Sequence, residues 1–313
     1  MKNGRTTLGV TSLNQVISKM FKTALRRSRR LVVVVLACFV ALGAAVREDI
    51  PNPVHTRHFA SNGNSGAIGQ FFPAAAGFDL ADVSSRRELA SLPDGVMGLV
   101  WIGECSGVTQ HFQEIVDSVI DHPKLFGFYL MDDPDPTGRW RPLCKASNLK
   151  VESDWIHERR RDALTFILLM NLGSSAAPAF SAEYAPDASH IDLFGVAPYP
   201  CRNSWAVCDL SMIDRFVAAA VGSGIPLSRV TPTYQAFGGG TWSSDDGGGY
   251  RMPTATEMSS MLERWRQLVP NPVFDYAYSW GVQRSDTALG QSAQLQNVFR
   301  EHNRCAERSA ICP

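Results

Sequence analysis

From residue 77 to residue 303 the chain alternates short, almost wholly apolar runs with stretches of helical period, and this pattern constrains the fold more than any other feature. The runs are 77–83, 96–102, 125–131, 164–170, 191–197, 230–236 and 273–279. Most lack the polar–apolar alternation of a half-solvated strand, as expected for parallel strands covered on both faces. Between them, 84–92, 110–120, 148–160, 212–221, 254–268 and 292–302 are predicted helices; Phe112, Ile115, Val116, Val119 and Ile120 share one face of the second, and Thr256 is the expected cap of the fifth. Regular β-α alternation predicts a parallel sheet. Seven units over this length, with an eighth strand in 57–72, predict a single-domain (β/α)8 barrel over 77–303, preceded by an irregular lead-in at 46–76 and followed by a tail at 304–313. An open doubly wound sheet is the alternative. No GxGxxG follows the first strand, which argues against a dinucleotide site.

The first 45 residues hold eight Lys or Arg and no Asp or Glu, although the whole 313-residue chain has zero formal net charge. The remainder therefore carries 22 basic against 30 acidic residues. Such an acidic body lacks the positive footprint of a nucleic-acid binder. Residues 31–46 form an uncharged apolar run of 16 directly after a basic cluster. This is the build of a secretory signal, with Gly43 and Ala45 placed for cleavage after Ala45. An uncleaved anchor is the alternative, although the run is short of the roughly 20 residues of a bilayer span; Met20 is an alternative start. Both readings put the body outside the cytoplasm, and any membrane association rests on that segment alone. Six cysteines lie beyond it, an even number that suits an oxidising compartment. The expected pairs are Cys105–Cys144, Cys201–Cys208 and Cys305–Cys312. Neither CxxC nor HExxH is present, so no zinc motif accounts for the cysteines.

In a (β/α)8 barrel, chemistry gathers where strands end. Those positions hold Trp101, Glu104, Asp132, Asp133, Asn171, Tyr199, Tyr234, Gln235, Trp242, Asp275, Tyr278 and Trp280. Aromatic faces stack on sugars, while acids and amides bind hydroxyls, so the expected partner is a carbohydrate. Quieter readings exist for each: Asp132 or Asp133 as a cap before Pro134, Asp135 as a loop organiser, Asp192 as a structural contact, Asp275 as a satisfied core acid, the tryptophans as packing. GxSxG and GK[ST] are absent, which disfavours a serine hydrolase or a phosphate loop. No cofactor is expected. The acidic loops at 132–135 and 245–246 leave a structural calcium as an alternative, without the spacing of an EF-hand.

Residues 127–134, GFYLMDDP, resemble the strand-end motif G-[WFY]-Y-[LI]-x-D-E-P of secreted glycoside-hydrolase-like barrels. Residues 191–200 and 232–238 are similar to the D-x-x-G-x-D-x-Y-P and Q-x-F-G strands of such barrels, and with 274–281 the resemblance spans 77–303. It implies a secreted glycosidase acting on a polysaccharide or glycoconjugate. Asp133 matches the general acid/base and Asp132 a positioning group. Asp stands where Glu is usual, and no Glu ends a late strand. The partner carboxylate is then expected to be Glu104 or Asp275. A carbohydrate-binding barrel without turnover and a calcium-dependent surface protein are the alternatives.

Overall fold

The computed structural model describes residues 55–63 and 69–306. The 16-residue apolar run and its cleavage site lie outside them, as does Cys312; Cys305 falls within a helix whose last side chains are not described. Runs with no polar face leave a strand only one environment, burial on both sides, and the chain provides it by closing on itself. The strands are β1 (Arg57–Ala60), β2 (Leu80–Val83), β3 (Met97–Trp101), β4 (Leu125–Asp132), β5 (Leu164–Leu168), β6 (Leu193–Val196), β7 (Val230–Gln235) and, after a short β8 (Phe237–Gly239), β9 (Phe274–Tyr278). All but β8 pair in parallel in the order β1-β2-β3-β4-β5-β6-β7-β9, and β9 closes on β1 with His58 opposite Asp275. This is the closed (β/α)8 barrel.

Alternate residues face the lumen, where Phe166 meets Phe274 at 4.9 Å and Tyr129 at 4.7 Å between ring centroids. The opposite face of each strand packs on helices α1 (Arg86–Ser91), α2 (Gln110–Val119), α3 (Ala146–Arg159), α4 (Pro186–Ser189), α5 (Ser211–Gly222), α6 (Ala255–Leu268) and α7 (Ala293–Ala306). Phe112, Ile156, Phe216, Trp265 and Phe299 fill that outer layer. Gly127 allows β4 and β5 to approach, since a Cβ there would lie 2.2 Å from the Leu164 carbonyl oxygen.

Three details differ from the sequence reading. The eighth strand expected in 57–72 is β1, Arg57–Ala60, so the barrel begins ahead of residue 77. The cap of α6 is Thr254 rather than Thr256: the Thr254 hydroxyl accepts from the Glu257 N–H, and the Glu257 carboxylate accepts from the Thr254 N–H, a reciprocal arrangement that needs a three-residue spacing. A two-stranded antiparallel sheet joins β8 to β10 (Asp286–Ala288), two strands of three residues each, too short for a periodic signal.

Glu152 of α3 is fully buried, and its carboxylate accepts from the Gly107 N–H at 2.7 Å, which fixes the loop after β3. Burial pushes its carboxyl up to about 8, and that hydrogen bond only partly offsets the effect. The folded state therefore holds a proton that the unfolded chain releases near the ordinary glutamate value. Stability is full below that value, is lost progressively up to about pH 8, and is level above. Glu152→Gln keeps the acceptor and removes the titration. Its melting temperature is expected to match wild type at pH 4 and to exceed it above pH 8, where the removed titration is worth on the order of 5 kcal/mol of stability. Parallel melting curves across this range would contradict the assignment.

Candidate active site

A cavity of about 540 Å3 opens at the C-terminal mouth of the barrel, above the ends of β1, β2, β3, β4 and β9. Strand parity delivers its walls. On β2, Leu80 faces the lumen, so Asp82 does too, one layer higher; its carboxylate accepts from the Asn62 N–H at 3.1 Å. On β9, Phe274 faces inward and Tyr276 and Tyr278 follow, with the Tyr276 hydroxyl 3.0 Å from Ser61 Oγ. Trp101 contributes the end of β3 and meets Tyr129 edge-on at 4.8 Å.

On β4 simple parity fails, and the failure decides which acid enters the cavity. Tyr129 pairs with Phe166 and Asp132 with Leu168, but Met131 pairs with Ile167, so three residues of β4 separate positions that β5 spans with two. This bulge absorbs one residue and reverses the facing beyond it. Met131 turns outward, and Asp132 lines the cavity, where its Oδ1 accepts from the Tyr129 hydroxyl at 3.1 Å. Asp133, the expected acid, is not among the lining residues. Its backbone is left-handed at φ 49°, its N–H donates to the Leu168 carbonyl, and its carboxylate, 36% exposed, pairs with Arg141 at 3.3 Å. Of the two acids it is therefore Asp132, and not Asp133, that faces the cavity.

Burial raises the Asp132 carboxyl above its ordinary value, against the Arg141 guanidinium and the Tyr129 hydroxyl. Burial and the adjoining Asp132 charge push Asp133 up to about 7, the half-exposed Arg141 offsetting only part of this. Asp82 is also raised, first by burial and then by Glu88. Tyr276 feels both Asp132 and Asp82, and burial with those charges keeps its phenol neutral. Asp82, Glu88 and Asp132 line the cavity together with no Lys or Arg.

Of the expected ligand-binding aromatics, Trp101 and Tyr278 line this cavity. Tyr199 stacks on Tyr278 at 6.1 Å, and Trp242 packs on Tyr278 at 6.0 Å with its indole N–H donating to Asp286, so the aromatic wall continues along the rim. The other expected residues serve elsewhere. Asn171 Oδ1 accepts from the Gly173 and Ala179 N–H groups and holds its own loop. Gln235, fully buried, bonds Cys201 through both its amide oxygen and nitrogen and donates to the Arg251 carbonyl. Tyr234 faces outward, donating to Asp275, and Trp280 is core, edge-on to Phe78. Glu104 accepts from Thr109 Oγ1 at 3.2 Å and faces His111, away from the cavity. Asp275 lies between two lumen-facing residues, so it points out of the barrel. Burial would raise its carboxyl, but the His58 and His302 imidazoles hold it well below the usual carboxylate range.

The acidic loops are internally satisfied. Asp135 accepts from Thr137, Gly138, Trp140 and Arg141 N–H groups and the Thr137 hydroxyl, and Arg202 pairs with both Asp245 and Asp246. Cys105–Cys144 and Cys201–Cys208 are disulfides. Asp82, Tyr129 and Tyr276 escape a reading confined to residues after the strands; the signal that finds them is the parity of Leu80 with Asp82 and of Phe274 with Tyr276.

No protein-family model matches the sequence, and no curated protein does so. Solved structures do match the fold. The active domain 2 of a chitinase from Pyrococcus furiosus superposes with a TM-score of 0.57 at 10% identity, over 83% of this chain and 99% of that one. The fold is that of the chitinase barrel. A chitinase from Bacteroides thetaiotaomicron gives 0.52 at 10% identity, over 82% and 99% of the two chains. Catalytic domain 2 of a Group II chitinase from Ostrinia furnacalis, solved as a mutant with a chitooligosaccharide, gives 0.50 at 11% identity over 82% and 98%. Among the described residues no helix is long and apolar enough to cross a membrane.

Proposed function

We propose that this protein hydrolyses the glycosidic bonds of a neutral or amine-bearing polysaccharide outside the cytoplasm. The observation that carries the proposal is the pair Asp132 and Asp82, two carboxyl groups of raised proton affinity facing one aromatic-walled cavity at the barrel mouth. Glycoside hydrolysis needs one carboxyl to protonate the leaving oxygen and another to attack the anomeric carbon or deprotonate the attacking water. Asp132 takes the first role, its proton kept by burial. Asp82 takes the second. Trp101 and Tyr278 offer faces to sugar rings, and the neutral phenols of Tyr129 and Tyr276 bind hydroxyls. The chitinases that share the fold act on a carbohydrate, which supports the substrate class. The two disulfides and the amino-terminal sequence support export.

The test is product release from a panel of oligosaccharides by the full chain. Chito-, cello- or xylo-oligosaccharides are expected to be cleaved. Oligogalacturonides are expected to be cleaved at least about 100-fold less efficiently in kcat/KM, because the carboxylates of Asp82 and Glu88 meet a like charge with no Lys or Arg in the cavity lining to compensate it. Binding without cleavage of any sugar by the wild type would replace the hydrolase with a carbohydrate-binding barrel.

A further inference from the structure

Outside the barrel wall, where β9 closes on β1, a second cluster takes no part in the mouth. His58 and Asp275 are register partners across that seam, and both are buried, at 3% and 2% exposure. His302 of α7 reaches them from the helical layer. His58 Nδ1 lies 3.0 Å from each Asp275 carboxylate oxygen, His302 Nε2 lies 3.5 Å from Oδ2, and the Tyr234 hydroxyl lies 3.2 Å from the same oxygen. One ligand atom from each of the three residues falls within 4.8 Å of the other two.

A hydrogen-bonding account of this geometry is incomplete. A single His58 N–H would be divided between two oxygens. His302 stands beyond good hydrogen-bond distance. A tetrahedral ion accommodates both contacts of Asp275. Zinc bound at about 2.0–2.1 Å separates neighbouring ligand atoms by about 3.3 Å, between the two contacts that Asp275 makes. Two imidazoles with one carboxylate form a borderline N/O donor set, suited to a first-row divalent ion rather than to calcium or magnesium.

We propose that His58, Asp275 and His302 bind one divalent transition-metal ion, zinc in the first instance, as a structural staple joining the closing strands to the last helix. Tyr234 or water completes the coordination, and His302, 21% exposed, marks the entry path. The site is independent of the barrel mouth and of the reaction proposed there.

The test uses the full chain without an affinity tag, stripped by a chelator and dialysed. Zinc titrated calorimetrically is expected to bind at one equivalent per chain and to raise the melting temperature by about 5–10 °C at saturation. Cobalt in its place is expected to show the visible bands of a four-coordinate ion. His302→Ala removes a partly exposed ligand and leaves the seam in place. It is expected to lose the zinc-dependent rise and the cobalt spectrum while melting near the stripped wild type. Stripped wild type that binds no zinc, or a zinc-dependent rise of the same size in His302→Ala, would overturn the proposal and leave a hydrogen-bonded clasp. The wild-type titration and cobalt spectrum decide the matter even if the variant does not fold.

Discussion

Asp132→Asn is expected to lower kcat by about 10^3–10^4-fold on any glycan the wild type cleaves, with KM changed only a few-fold. The substitution keeps the shape and an oxygen that accepts from the Tyr129 hydroxyl, so binding survives while the donated proton is gone. Asp133→Asn is expected to cost only about tenfold, because that side chain turns to Arg141 rather than to the cavity. Its signature lies in the pH profile. Adjacent carboxyls titrate as a unit, and the proton this unit keeps is lost as pH rises through about 7. Activity that needs the proton is therefore present below about pH 7 and falls above it. On the acid side it falls as Asp82, itself raised, becomes protonated. Replacing Asp133 takes the group pushed up to about 7 out of the pair and leaves Asp132, raised by burial, to set the alkaline limb, which moves to lower pH. Steady-state kinetics of both variants across pH 4–9 check the assignment. Near-complete loss in Asp133→Asn with most activity kept in Asp132→Asn would return the acid role to Asp133.

That reversal turns on a single residue, which marks where sequence reasoning stops. The barrel itself is legible because its signal is repeated: six of the seven apolar runs contain an observed strand, and β4 overruns the seventh by one residue, Asp132. The strand-end motif is legible as well, since both acids of GFYLMDDP reach the correct rim. Which of the two enters the lumen depends on a bulge between Tyr129 and Met131, and apolar residues on both sides of the strand hide it. Asp275 shows the opposite case. Its position inside a strand suggested a buried catalytic acid, whereas the inward facing of Phe274 and Tyr276 sends it outward to two histidines more than 25 residues away in either direction. Gln235 marks a third limit: an amide at a strand end looks like a sugar ligand until the backbone groups around it are counted. Pairing across distance, absent from local pattern, separates these residues from Asp82, which parity alone would have found.

Removing the Cys105–Cys144 bridge, as the Cys105→Ala/Cys144→Ala double variant, is expected to cost about 4 kcal/mol and to lower the melting temperature by about 10 °C. The bridge spans a sequence separation of 39, and the closed loop contains all of β4 with Asp132 and Asp133. Closing a loop of that length removes about 4 kcal/mol of chain entropy from the unfolded state. For Cys201–Cys208, with a separation of 7, the same reasoning gives about 2.4 kcal/mol. The longer bridge also has a local role that the shorter lacks near the acids. Its sulfur ties Cys144, whose main chain donates its N–H to the Asp135 carbonyl and accepts the Tyr184 hydroxyl, to the loop after β3, and so restrains the segment from which Arg141 reaches Asp133. Untying it is therefore expected to raise KM and to weaken the Arg141 contact, shifting the alkaline limb of the rate profile toward higher pH as the Asp133 charge loses its cation. Thermal melts of the two double variants, each beside wild type, separate the contributions. Equal losses in the two would show that loop length does not govern the effect, and an unmoved pH profile would show that the bridge stabilises the barrel without setting the charge at its mouth.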